Sequence, residues 1–343
     1  MMEKRKKVIL LAITSDYITT AEPVGSRSIV KHYKLGISPA TVRNEMADLE
    51  ESGYLMQPHT SAGRIPSDKG YRFYVDVLMG SYELSAAERR LISERLKKKR
   101  QDVESLVSET ARLLSELCRT VALVLGPISD TASFRHVEFV PLSDTLVMVI
   151  LVASPGVVEK NVVEKPEELS ERDLEVIANF LNSKLKEKLI SEIDGDLLET
   201  LAKEIGRYTS LLEGAASFLR RALRRKAEVP VLLDGTSQIL IQPEFRDIDR
   251  IRHVLALLER KDEIKEVLVA GVNTADVATL IGHENLISSL SQCSMVKATY
   301  GMGRNATGTI AVIGPTRMDY PRAIAVVRYM SRALSSAIDS ISS

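Results

Sequence analysis

The chain has 343 residues, of which 45% are apolar and 27% are charged, and this is the balance of a folded protein with two or three domains. Its 46 lysines and arginines equal its 46 aspartates and glutamates in number, so overall charge does not draw the protein onto nucleic acid or anionic lipid. Any attraction to a polyanion must therefore be local.

The cysteines and the apolar segments bear on location. Cys118 and Cys293 lie far apart and match neither a disulfide framework nor a paired-thiol metal site, which favours a reduced, cytoplasmic location. No segment reaches the roughly 18 apolar residues of a membrane helix. The basic start and short apolar run of residues 1–14 favour an amphipathic helix over a signal peptide, because Asp16 and Tyr17 interrupt the run and no small-residue cleavage site follows.

The first eighty residues predict three helices followed by a hairpin. The spacing of apolar residues predicts a first helix over residues 4–19. Ser26 is a plausible N-cap for a short second helix, which Gly36 closes. Ser38 is predicted to cap a third helix, and Gly53 ends that helix in a left-handed conformation.

The third helix has two different faces. Val42, Met46 and Leu49 are spaced i, i+4 and i+7, so they are predicted to face inward. The opposite face combines short polar side chains, an arginine and small alanines, which is typical of a helix that reads the major groove. Arginine suits guanine and asparagine suits adenine. The candidate base-contacting residues are Thr41, Arg43 and Asn44.

A hairpin, or wing, is predicted after the third helix. Residues 54–57 and 64–66 have strand character, and residues 58–63 form the loop between them. His59 and Arg64 are expected at its tip, and Ser67 is predicted to cap the next helix. The complete candidate set for contact with DNA is Ser26, Arg27, Ser38, Thr41, Arg43, Asn44, His59 and Arg64, of which Ser26, Arg27, His59 and Arg64 are expected to hold phosphates.

The alternative for this segment is a three-helix core with a solvated polar face. Helix, turn, helix and hairpin in this order are more specific than a helix-turn-helix alone, and they favour DNA binding. Residues 1–80 contain 11 lysines and arginines against 9 aspartates and glutamates, so we expect modest non-specific affinity, helped by two copies on one duplex.

The rest of the chain is predicted to alternate between sheet and helix. Ser85 and Glu88 form a capping box for a helix whose basic run, residues 97–100, favours a solvated linker over a basic arm on DNA. The apolar stripe of residues 103–117 fits a core or a dimer seam equally well. A helix-rich block follows, and the last helix starts at Tyr320. The predicted strands are residues 134–140, 145–153, 157–163, 231–233, 239–241, 267–271, 295–300 and 309–313.

Three long phrases resemble one family. They are HTSAGRIPSDKGYRFYV in the hairpin region, GVNTADVATLIGHENL, and VKATYGMGRNATGTIAVIGPTRMDYPRAIAVV near the end. All three are similar to the HrcA heat-inducible transcription repressors, so the likeness spans nearly the whole chain. The resemblance implies an α+β multidomain fold: a winged helix-turn-helix domain (1–82), a linker helix (83–102), a GAF-like α+β domain (103–164 and 266–343) and an inserted helix-rich dimerisation domain (165–265).

Other groups have residue types found in catalytic or ligand sites, but none has a complete pattern. The glycines of residues 301–308 lie between two predicted strands, which favours a hairpin loop over a phosphate loop. His136 and Glu138 match half of a zinc-deaminase signature and are predicted to share a solvated strand face. No nucleophile motif accompanies His283 and Glu284, so they do not predict a catalytic site. The basic cluster at 220–226 is more typical of a solvated helix end than of a nucleic-acid groove. We therefore predict no enzyme activity, no cofactor and no metal.

The predicted function is transcription repression by a homodimer on an inverted-repeat operator, because two-fold pairing of recognition helices multiplies specificity. The resemblance implies more: HrcA proteins repress chaperone operons through an inverted repeat called CIRCE, and the chaperonin GroEL helps to keep them active. The alternative is a metabolite-responsive regulator whose GAF-like domain binds a small molecule, in a pocket lined partly by residues 301–308.

Overall fold

The computed structural model describes residues 2–59, 62–100, 102–129, 133–154, 157–165, 169–188, 193, 197, 200–201, 231–246, 248–270, 277–285, 287–302 and 306–342. The helices are α1 (Lys4–Thr20), α2 (Ser26–Tyr33), α3 (Pro39–Glu51), α4 (Asp68–Phe73), α5 (Ala86–Lys98), α6 (Val103–Cys118), α7 (Glu171–Leu185), α8 (Thr236–Ile241), α9 (Ile248–Glu259), α10 (Lys261–Val269) and α11 (Tyr320–Ser342). The strands are β1 (Leu55–Met56), β2 (Ile65–Pro66), β3 (Val121–Ser129), β4 (Ser133–Pro141), β5 (Leu146–Ser154), β6 (Val157–Glu164), β7 (Val231–Asp234), β8 (Ala278–Ile281), β9 (Cys293–Met302) and β10 (Ala306–Pro315).

The N-terminal module (residues 2–79) contains α1 to α4 and the β1–β2 hairpin. Its core joins the apolar residues of α1 to the inner face of α3, where Val42, Met46 and Leu49 are all buried. The predicted helices, the hairpin and the caps at Ser38 and Ser67 are confirmed. Gly53 has a φ of +77°, the left-handed conformation expected after α3.

Two predictions about α2 are wrong. Gly25, in an extended conformation, occupies the N-cap position, so Ser26 is the first helical residue and its side chain caps nothing. At the other end Lys34, not Gly36, is the left-handed residue directly after the helix. Gly36 is itself left-handed and lies in the turn toward α3.

A five-stranded antiparallel sheet is the centre of the larger part of the chain, which we call the body. Its strand order is β7-β3-β10-β9-β8. Helices α6 and α11 share one buried core with one face of the sheet, and α8 to α10 share another core with the opposite face. The apolar stripe of α6 is therefore core, since Leu106, Leu113 and Leu114 are fully buried. The predicted linker helix, α5, also packs into this core through Ile92 and Leu96.

A second sheet, outside the body sheet, has a hydrophobic core of its own. Strands β4, β5 and β6 pair only with one another among the described residues, and α7 covers one face to form an independent core. The chain leaves the body sheet after β3 and returns to it at β7, and β4 to β6 and α7 lie between these two strands in sequence. The predicted division at 165 and 265 draws the limits elsewhere: it assigns β4 to β6 to the GAF-like domain and β7, α8 and α9 to the inserted domain.

Two predicted strands are helical. Residues 239–241 end α8, and residues 267–269 end α10, whose Ile264, Val267 and Leu268 are buried at helical spacing. The short apolar runs resembled strands because the helical period is visible only over a longer window. Strands β3 and β8 were not predicted. In the part of the chain described here, no helix has the length and apolar character needed to cross a membrane.

Candidate nucleic-acid interface

Helix α3 is held in place by its inner face and its cap. The Ser38 hydroxyl accepts a hydrogen bond from the backbone N–H of Thr41 at 3.1 Å, and the same hydroxyl lies 2.9 Å from the Thr41 hydroxyl. Thr41 is half-buried, and both its hydroxyl and its backbone N–H contact Ser38. Arg43 and Asn44, in contrast, are exposed on the outer face. The structure thus leaves Arg43 and Asn44 as the long, accessible polar side chains of the predicted reading face.

Two carboxylates of α3 lie beside that face, those of Glu45 and Asp48, and basic side chains of α1 partly neutralise them. Lys6 Nζ lies 2.8 Å from Asp48 Oδ2, and Arg5 contacts Glu45 at 3.2 Å. The hydrogen bond to Asp48 raises the pKa of Lys6 above its ordinary value. These pairs reduce the repulsion that the two acidic side chains of α3 would otherwise exert on a phosphate backbone.

A cleft of about 580 Å³ separates the start of α2, the middle of α3 and the hairpin. Three guanidinium groups line it, those of Arg27, Arg43 and Arg64, together with Ser26 and Gln57. Arg27 is exposed, and Ser26, at 8% exposure, contributes from the cleft wall. Such a concentration of positive charge next to a helix with an exposed polar face fits a polyanion.

Arg64 does not lie at the hairpin tip, and that prediction is wrong. It is the last residue of the loop, directly before β2, and its backbone pairs with Val24 through two hydrogen bonds of 2.9 Å. Its guanidinium pairs with Glu50 at 2.8 Å and its side chain is only 20% exposed. The backbone approach is close, and this explains Gly63: a Cβ at that position would lie 2.4 Å from the Val24 carbonyl oxygen.

His59 occupies the exposed loop of the hairpin, as predicted, and its carbonyl accepts a hydrogen bond from Ala62 N at 2.9 Å. Gln57 Nε2 donates to the Ala62 carbonyl at 3.0 Å across the same loop. Residues 60 and 61 lie outside the described residues. The structure therefore brings together Ser26, Arg27, Arg43 and Arg64 around one cleft, with Ser38, Thr41, Asn44 and His59 on the adjoining surfaces.

The remaining candidate groups have other surroundings. Strands β9 and β10 pair directly around residues 301–308, as a hairpin rather than a phosphate loop, although residues 303–305 lie outside the described residues. His136 and Glu138 are exposed on β4, as predicted. The cluster at 220–226 also lies outside the described residues. No group of side chains with metal-ligand composition occurs in the described ranges.

Three tertiary contacts are not predicted from the sequence. One is the Arg64–Glu50 pair, and in the other two Asp68 and Arg72 of α4 contact His283 and Glu284 of the body. Their only sequence signal was that both segments occur in the phrases that resemble one family.

The chain is similar in sequence to one protein family over nearly its whole length. The family model for the "HrcA protein C terminal domain" matches residues 104–324. The "Heat-inducible transcription repressor HrcA" of Pelotomaculum thermopropionicum is 41% identical over 340 residues, covering 99% of this chain and 98% of the relative. The protein of the same name from Desulforamulus reducens is 42% identical with the same coverage.

A solved structure, titled "Crystal structure of a hypothetical protein at 2.2 A resolution", has a TM-score of 0.66 and 23% identity, and the match covers 99% of this chain and 100% of that one. It shows a shared fold across the full length. From the family model and the curated relatives together, the chain belongs to the HrcA family, whose named members are transcription repressors rather than enzymes.

Proposed function

We propose that this protein is a transcription repressor of heat-shock genes that reads DNA through its N-terminal module. The observation that carries the proposal is α3, whose apolar face is buried while Arg43 and Asn44 are exposed beside an arginine-lined cleft. The names of the curated relatives support the same function. A repressor of this kind acts on the chromosome, in the cytoplasm.

In the proposed complex, α3 enters the major groove with Arg43 and Asn44 toward the base edges. Arginine binds guanine and asparagine binds adenine in a bidentate manner. Thr41 approaches the bases from the first turn, and Ser38 lies at the helix N-terminus, which suits a phosphate. Ser26, Arg27, His59 and Arg64 contact the backbone on either side. Arg64 has to share its guanidinium between Glu50 and a phosphate, so we expect its contribution to be smaller than that of Arg27.

We further propose a homodimer on an inverted repeat of the CIRCE type. The outer face of the three-stranded sheet supports self-association, because Val158 and Val162 are 62% and 49% exposed there. Apolar side chains on an exposed sheet face are typical of an interface. Two modules joined in this way would contact two half-sites on one duplex.

A link to chaperonin supply is also proposed. The body sheet joins segments that are far apart in the chain, since β3 pairs with both β10 and β7. Sheets of this kind fold slowly and expose apolar surface while they do so. A repressor that depends on GroEL for folding would lose activity when unfolded proteins occupy the chaperonin, and its target genes would then be released.

The function is tested by footprinting on the chain's own upstream region with Asn44→Ala. We expect the loss of one side chain that reads a base to cost about 1–3 kcal/mol of binding and to relax preference at one base position. The matched control is Arg90→Ala, which removes an exposed side chain of α5, far from α3 in sequence. Unchanged affinity and unchanged base preference in Asn44→Ala would contradict the proposed orientation of α3.

A further inference from the structure

We propose that Asp68 and Arg72, by gripping the turn Gly282–Glu284, hold the N-terminal module at one angle on the body and so select the spacing between operator half-sites. The two residues of α4 and the turn are called the latch below. This inference rests on the proposed function, because spacing has meaning only for a dimer that binds two half-sites. Asp68 and Arg72 act as positioning residues and are not expected to touch DNA.

Arg72 forms the first half of the latch. Its Nε donates to Glu284 Oε1 at 2.8 Å, and its Nη2 donates both to Glu284 Oε2 and to the Thr279 carbonyl, the latter at 2.7 Å. Both charged side chains are about one-third exposed. A bidentate arginine–carboxylate pair fixes direction as well as distance, unlike a lysine pair.

Asp68 forms the second half. Its Oδ2 accepts a hydrogen bond from the backbone N–H of His283 at 3.0 Å and lies 2.7 Å from His283 Nδ1. The turn is shaped for this carboxylate: Gly282 has a φ of +52°, and a Cβ there would lie 2.2 Å from Asp68 Oδ2. Only glycine allows both the left-handed backbone and the close approach.

The latch is connected rigidly to the reading helix. The Ser67 hydroxyl, at the start of α4, donates to the Gly53 carbonyl at 2.6 Å, and Lys69 Nζ donates to the Ser52 carbonyl at 2.9 Å. Both acceptors directly follow α3. Any change of angle at α4 is therefore transmitted to α3.

Two further contacts show why the latch sets an angle. Tyr71 is buried between the module and the body, with its ring 5.8 Å from that of Tyr320. Arg317 of the body donates to the Ile18 carbonyl of α1 at 2.9 Å. Apolar packing alone, such as that of Tyr71 against Tyr320, would let the N-terminal module rotate on the body. The polar contacts of α4 and of α1 with the body prevent this rotation. Since one base pair turns the duplex by about a tenth of a revolution, a fixed angle favours one spacing.

The test measures Kd on operators whose half-site spacing is changed by one or two base pairs in each direction, and on an isolated half-site. Arg72→Ala is expected to bind the best-spaced operator about tenfold more weakly and to lose most of its preference among spacings, while half-site affinity is unchanged. Asp76→Ala is the matched control, because Asp76 contacts Arg72 at 3.2 Å from the segment that follows α4 and is not part of the latch. It should retain the wild-type spacing profile.

Asp68→Asn is a second variant that preserves size while removing the charge, and it serves if Arg72→Ala does not fold. A wild-type spacing profile in a folded latch variant would overturn the inference. Failure of the proposed function is distinguishable, because in that case the wild-type protein itself would not recognise the half-site.

Discussion

Gly63 fixes the hairpin to the rest of the N-terminal module. The strand-like pairing of Val24 with Arg64 brings the two backbones so close that a side chain at position 63 would meet the Val24 carbonyl. The same pairing places the Arg64 guanidinium beside Glu50. One glycine thereby determines where an arginine of the proposed DNA surface lies.

At this scale we predict that Gly63→Ala destabilises the protein by about 1–3 kcal/mol, because the added methyl group overpacks against backbone. Hydrogen exchange of the Val24 and Arg64 amides should accelerate, and urea unfolding should show the loss. Gly80→Ala is the control, since a Cβ there meets nothing within 4 Å. Equal exchange rates in Gly63→Ala and wild type would show that the hairpin does not depend on this contact.

Individual residues differ in how far the sequence predicts them. Ser38 and Val42 were placed correctly, because a helix cap and a helical period are local signals. The partner of Arg64 was not predictable in the same way. Glu50 lies on the preceding helix, and only the tertiary path of the hairpin brings it within 2.8 Å of the guanidinium.

Within the described ranges, the three-stranded sheet of β4 to β6 has one covered and one open face. Its open face combines half-buried residues of β5 with the more exposed Val158 and Val162 of β6. One cross-strand row runs Glu138, Ile150, Lys160. A two-fold axis along β5 would place Glu138 of one copy opposite Lys160 of a second copy, so this face is complementary to itself.

At the scale of this element we predict that Val158→Lys converts a dimer to a monomer, because it places a charge in the proposed interface. The fold itself should change in stability by less than about 0.5 kcal/mol, as the side chain is exposed in the single chain. Sedimentation velocity measures the oligomeric state. Val77→Lys, at a 53% exposed position of the N-terminal module, is the control. A dimer that persists in Val158→Lys would exclude this face.

Whole elements were predicted well where their pattern was long. Strands β4, β5 and β6 and helices α6 and α11 occur where expected. The domain boundaries were not predictable to the same degree, because strand character does not reveal which sheet a strand joins. The pairing of β3 with β7 and β10 is tertiary information that no local sequence pattern contains.

The fold of the whole chain depends on contacts between residues that are far apart in sequence. β3 pairs with β10, and the N-terminal module docks on a surface built from the last quarter of the chain. Such contacts must wait for long loops to close, so the folding chain exposes apolar surface for longer than a chain with local contacts does.

At this scale we predict that the yield of DNA-binding protein after dilution from denaturant rises at least about twofold when chaperonin, ATP and co-chaperonin are present. The control is an equal mass of an inert protein, which accounts for losses on surfaces. Operator binding, measured by gel shift, reports the yield. Identical yields with chaperonin and with the inert protein would refute the proposed coupling.

The docking of α4 on the turn Gly282–Glu284 also has a consequence for protein synthesis. Tyr71 is covered by Tyr320, so the ribosome must translate at least as far as residue 320 before the proposed recognition helix acquires a defined orientation. A polypeptide that terminates before residue 282 contains the whole proposed base-reading surface but lacks both the turn and Tyr320, on which the N-terminal module docks. If the proposed function holds, such truncated products should not repress transcription.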